Sequence, residues 1–207
     1  VKVLPLNRND KVYSAYSFLL LGVWNRINDI NTLIDVGTDG SVVDEVERAA
    51  TGVGKKQVEQ VILTHNHFDH NGGLAAVIER YHPRVYAFSP GPGVDVLVKD
   101  GQFLLMGDDY CQIIHTPGHS SDSICIYCPA QKILFSGDVP LSIKSPGSTY
   151  EKNFVQALER LSRLDIRIIY SGHNEPVVSG AQEMIQMTLE NVRRSDIIAP
   201  TVENRSP

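Results

Sequence analysis

Thr64-His65-Asn66-His67-Phe68-Asp69-His70 packs three imidazoles and a carboxylate into seven residues, directly after the apolar run Val61-Ile62-Leu63. Further along come His119, Asp138 and His173. The chain has 7 histidines, and only His82 and His115 fall outside this set. Imidazole and carboxylate together suit borderline divalent metals, zinc first and iron or manganese after it. Seven candidate ligands (His65, His67, Asp69, His70, His119, Asp138, His173) exceed one tetrahedral shell and match two ions. A purely structural zinc site favours cysteine, and this set contains none. The pattern therefore points to a catalytic centre, with Asp69 and Asp138 as its acidic groups.

Each ligand segment follows a strand-like run: Val-Ile-Leu-Thr before His65, Gln-Ile-Ile-His before the Thr-Pro-Gly turn to His119, Ile-Leu-Phe-Ser before Asp138, and Ile-Ile-Tyr-Ser before His173. Four strand ends can gather their loops at one edge of a sandwich, where α/β folds commonly place their chemistry. Gly118, Gly137 and Gly172 each precede a ligand and permit close backbone approach. An extended first segment would put His65, His67 and Asp69 on one side, with His70 pointing elsewhere.

The composition is that of an ordinary globular chain: 207 residues, 42% hydrophobic and 21% charged. A net charge of -5 weighs against a phosphate-tracking surface, so nucleic acid is not the expected partner and a small molecule is. No run is long and apolar enough for a membrane span, and no signal peptide is evident. Three cysteines, Cys111, Cys125 and Cys128, give no even disulfide framework, so reduced thiols and a cytoplasmic setting are expected. Cys125 and Cys128 form a C-x-x-C on a strand, where residues three apart face opposite ways, which favours structural thiols over a redox pair.

Periodicity predicts helices over Ser41–Ala50, Leu74–Tyr81, Lys152–Leu164 and Ala181–Arg194. It predicts strands over Ser14–Gly22, Thr32–Asp35, Val61–Leu63, Val85–Phe88, Gln112–His115, Ser123–Tyr127, Ile133–Phe135 and Arg167–Tyr170. Strand–helix units in both halves predict one α/β domain over residues 1–207, two sheets inside and helices outside, with a frayed tail from about 197.

The H-x-H-x-D-H motif at Thr64–His70, Thr116-Pro117-Gly118-His119-Ser120, Phe135-Ser136-Gly137-Asp138, Ser171-Gly172-His173 and Leu33-Ile34-Asp35-Val36-Gly37 together resemble the metallo-β-lactamase superfamily. The pattern is most similar to the glyoxalase II-type thioesterases. The resemblance implies a four-layer αββα sandwich of the α/β (α+β) class and a hydrolase with two divalent ions. It implies that His65, His67 and His119 hold one ion and Asp69, His70 and His173 the other. Asp138 would bridge the two, and Asp35 would orient the ligand loop. The expected reaction is attack of an activated water on a thioester, ester or lactone. Related branches leave two alternatives, an iron-dependent persulfide dioxygenase and a small metal-dependent endoribonuclease or phosphodiesterase. After His173 one helix and a tail remain, so little rate gain from a glutathione moiety is expected.

Overall fold

The computed structural model describes residues 1–24, 26–52 and 54–200. The first sheet has six strands in sequence order: β1 (Lys2–Pro5), β2 (Phe18–Leu21), β3 (Thr32–Ile34), β4 (Gln60–Ile62), β5 (Arg84–Ala87) and β6 (Val96–Leu97). β1 to β3 pair antiparallel, and β3 to β6 pair parallel. Parallel neighbours need crossovers. These are α1 (Ser41–Arg48) between β3 and β4, then α2 (Phe68–Asn71) and α3 (Leu74–Tyr81) between β4 and β5.

The second sheet contains β7 (Phe103–Met106), β8 (Asp109–His115), β9 (Ile124–Cys128), β10 (Ile133–Gly137) and β12 (Ile168–Ser171), in the order β12-β10-β9-β8-β7. β12 runs parallel to β10 after a crossover through α4 (Lys152–Leu161). α5 (Ala181–Arg193) follows, and β11 (Thr149–Glu151) pairs with β13 (Asp196–Ile198).

Alternation along β2 shows how four layers arise. Phe18-Leu19-Leu20-Leu21 is buried throughout, because successive side chains enter two different cores. Phe18 and Leu20 meet Ile113, Ile126 and Phe135 between the sheets. Leu19 and Leu21 meet Val46 of α1 and Val77 of α3 on the outer face. On the far side, Phe154 and Leu158 of α4 and Ile185 and Leu189 of α5 cover Ile114, Leu134 and Ile169. The layers are therefore helix, sheet, sheet, helix, as expected from the sequence.

Two expectations are corrected. Cys111 and Cys128 form a disulfide. They sit opposite each other at one end of the β8–β9 ladder, next to the pair Gln112–Tyr127. Register sets that pairing and sequence spacing does not. Cys125 stays a free buried thiol, and it faces the outer core while Cys128 faces the inner one. The thiol argument for a reducing compartment falls with that bond. The second correction concerns the tail: Asp196–Ile198 is strand β13, held by parallel pairing to β11, and residues 201–207 lie outside the described ones. Among the described residues no helix is long and apolar enough to cross a membrane.

Candidate metal centre

The segments after β4, β8, β10 and β12 meet at one edge of the sandwich and carry all seven candidate ligands, Asp69 and His70 on α2 and the others on loops. The side chains form two groups. His65, His67 and His119 make the first, and Asp69, His70, Asp138 and His173 the second, with the ligand atoms of each group within 4.8 Å of one another. Asp138 touches both sets. Its Oδ1 lies 3.2 Å from His70 Nε2, and its Oδ2 lies 3.3 Å from His173 Nε2 and 3.7 Å from His119 Nε2.

The division of the first motif differs from the expected alternation. Only His65–His67 is extended. His67 caps α2, its carbonyl accepting from the His70 and Asn71 amides. That helical turn carries Asp69 and His70 away from the first group and toward the second. Two of the three glycines that precede ligands allow close approach around the centre. A Cβ on Gly172 would lie 2.4 Å from Asp138 Oδ1 and 2.6 Å from His70 Cε1. Gly137 has φ +50, and its Cβ would lie 2.6 Å from Thr64 Oγ1.

Asp35 organises the ring nitrogens. It sits in the left-handed region with φ +54, a conformation aspartate tolerates better than most residues. Its Oδ1 accepts from the Thr64 amide (2.7 Å), and its Oδ2 accepts from the Thr64 hydroxyl (2.8 Å) and from His70 Nδ1 (2.8 Å). With the Thr64 proton committed to Asp35, His65 Nδ1 donates to Thr64 Oγ1 at 3.2 Å. Both rings therefore turn Nε2 into the centre. His65 Nε2 and His70 Nε2 are buried without a hydrogen-bond partner, a costly arrangement that a cation relieves. His67 Nδ1 and His119 Nε2 face each other at 2.9 Å. The donor set fits divalent metal.

The protonation states of His65, His119 and Asp138 agree with that use, and His70 must give up a proton to a metal. Burial, aided by the neighbouring His70, lowers His65 to about 4. Burial also lowers His119. Burial opposes ionisation of Asp138, but His70, His173 and His65 outweigh it and hold the carboxyl at about 2. Burial likewise disfavours charge on His70, yet Asp35 and Asp138 prevail and push it up to about 10 in the metal-free protein.

Sequence reading missed two neighbours. Tyr13, 73% exposed, stacks on His173 with ring centroids 4.7 Å apart, its hydroxyl 3.3 Å from His173 Nε2. Asp122 ties two ligand loops together, Oδ2 accepting from the Asn66 amide and Oδ1 from the Ser120 hydroxyl. Neither sits in a ligand motif, and only the tertiary fold brings them in. His115 stays outside both groups, stacked on Phe88 at 4.0 Å and donating from Nε2 to the Ser121 carbonyl. Ser120 and Tyr150 line a cavity beside His119, whereas Lys144 lies outside it and exposed.

Residues 20–173 match the sequence profile of the metallo-β-lactamase superfamily. The chain belongs to that superfamily. Among curated relatives, it is 29% identical over 184 residues to a hydroxyacylglutathione hydrolase of Buchnera aphidicola, covering 86% of this chain and 66% of that protein. It is 28% identical over 170 residues to an atrochrysone carboxyl ACP thioesterase of Aspergillus fumigatus, covering 79% of this chain and 53% of that protein. The chain thus spans about half to two thirds of the length of these superfamily relatives. Among solved structures, a metallo-β-lactamase family protein of Thermus thermophilus superposes with a TM-score of 0.67 at 19% identity, covering 93% of this chain and 79% of that one. A B3 metallo-β-lactamase superposes with a TM-score of 0.65 at 20% identity, covering 93% and 99%. The αββα expectation and the family resemblance both hold.

Proposed function

We propose that this chain is a dinuclear metal-dependent hydrolase acting on thioester, ester or lactone carbonyls of small molecules. The observation that carries the reading is the pair of donor groups joined through Asp138. His65, His67 and His119 would hold one ion and Asp69, His70 and His173 the other, with Asp138 between them. Two divalent ions, zinc in the first place, would supply Lewis acidity there, lowering the pKa of a water to about 7 and polarising the carbonyl.

The protein's own groups do the rest. Asp69 Oδ2 stands 2.9 Å from His173 Nε2 within the second donor group, so its carboxylate would help hold that ion and could accept a hydrogen bond from the attacking water. Burial, then the Asp69 and Asp138 charges, raise the Tyr13 pKa, so its hydroxyl stays protonated and can donate to an oxygen that gains charge. Asp35, buried beneath the ligands, keeps His70 in one tautomer. Thioester cleavage is favoured among the three carbonyl classes because both named relatives are thioester hydrolases. The mononuclear iron alternative uses only part of this donor set and leaves Asp69, His70 and His173 without a shared task.

The test is elemental analysis of metal-reloaded protein together with a panel of thioesters, esters and lactones. About two ions per chain and hydrolysis of activated thioesters are expected. One tightly held ion, or oxygen uptake with a persulfide in place of hydrolysis, would overturn the reading.

A further inference from the structure

Two cavities open beside His119, which lines both. One, of about 450 Å³, runs from Asp138 and His173 toward α5. Val139, Leu141, Ile169, Val177 and Met184 form its apolar wall, Ser142, Ser171 and Asn174 edge it, and among the described residues its charge-bearing members are candidate ligands. The other, of about 480 Å³, is edged with polar groups, Ser120, Thr149, Tyr150 and Asn153 among them. Both volumes suit a small-molecule group.

The apolar wall is held in place. The segment after Asp138 is pinned to α5 by Thr188 and Asn191. The Thr188 hydroxyl donates to the Leu141 carbonyl (2.6 Å) and accepts from the Ile143 amide (3.1 Å), and Asn191 Nδ2 donates to the Ile143 carbonyl (2.8 Å). Thr188 is fully buried. A buried polar pair spent on fixing a loop keeps the cavity open against collapse.

We infer that the apolar cavity is an acyl pocket and that the preferred substrates are thioesters of uncharged, medium-length aliphatic acyl groups, with the polar leaving group in the second cavity. This rests on the proposed hydrolase reading. With the carbonyl carbon over the donor groups, the chain beyond it runs away from Asp138 and His173 along the wall of Val139, Leu141, Ile169, Val177 and Met184. A methylene leaving water there gains binding in proportion to its apolar area. A hydroxyl or carboxylate pressed against that wall loses hydration without a replacement partner from these five side chains.

The experiment measures kcat/KM for N-acetylcysteamine thioesters with acetyl, butanoyl, hexanoyl and octanoyl groups, using metal-loaded protein. Each fully buried methylene contributes up to about fourfold, so an octanoyl over acetyl preference of at least about thirtyfold is expected. Met184→Trp and Val177→Phe fill the cavity from two different elements and should each cut that preference at least about tenfold. Gln186→Trp, on the exposed side of α5, should not. A second arm titrates octanoate and acetate onto the loaded protein. Octanoate should bind more tightly than acetate, and Met184→Trp should erase the difference. Hydrolysis with a flat length profile would overturn the acyl pocket and leave the hydrolase standing. No hydrolysis alongside Met184-dependent octanoate binding would overturn the hydrolase and retain the cavity's ligand. Failure of both arms would overturn both.

Discussion

Asp35 and His70 are buried to 2% and 0%, and together they link folding to metal uptake. In the metal-free protein His70 is held protonated up to about 10 by Asp35 and Asp138. Its pKa is thus raised above the ordinary histidine value. The stability it contributes is complete below pH 6.5 and is lost as pH rises toward about 10. A metal must displace that proton, because a ligating imidazole is neutral. Calorimetric loading at pH 7.5 in buffers of different ionisation enthalpy should therefore report proton release. Asp35→Ala removes one acceptor from His70 and two from Thr64. It should weaken metal binding by roughly 10- to 100-fold, release fewer protons, and flatten the fall in metal-free Tm between pH 6.5 and 10. Unchanged proton release in the variant would show that Asp138 alone holds the charge. Asp35 was legible in the sequence through its Leu-Ile-Asp-Val-Gly setting, whereas Tyr13 was not, since a tyrosine in a polar loop has no distinguishing pattern.

At the scale of elements, the strands that deliver ligands were legible because each is a short apolar run ending at glycine, histidine or aspartate. β4, β8, β10 and β12 fall within a few residues of their expected spans. Five of the other strands were not. β1, β6, β7, β11 and β13 are two to four residues long, and pairing rather than composition defines them. α2 was missed for a different reason: four residues are too few for a helical period. Its turn nevertheless decides which of the two donor groups Asp69 and His70 join. The glycine facing that turn offers a test. Gly172→Ala places a Cβ against Asp138 and His70, and both are ligand side chains with little freedom to retreat. Overpacking of this kind costs about 1–3 kcal/mol. The variant should fold with a lowered Tm and retain one ion instead of two. Full occupancy by two ions would mean that the second group relaxes more than close packing allows.

Across the whole molecule, the centre lies at one end of the sandwich and the Cys111–Cys128 bond at the other end of the β8–β9 ladder. His115 pairs with Ile124 at the end nearest His119, and the bonded cysteines close the opposite end. Stability and chemistry are thus separable in space. The bond spans 17 residues, and cross-linking a loop of that size stabilises by roughly 3 kcal/mol. For a domain of this length reduction should lower Tm by about 6–12 °C. Alkylation of the denatured, unreduced protein should find one thiol, Cys125, and three after reduction. Metal stoichiometry should stay the same in the reduced protein, because the loops bearing the ligands are anchored by Asp35, Asp122 and the strand ends rather than by that bond. Loss of an ion on reduction would show that the disulfide sets the β8–β9 register all the way to His119. β8 and β9 would then act as one lever between the bond and the site.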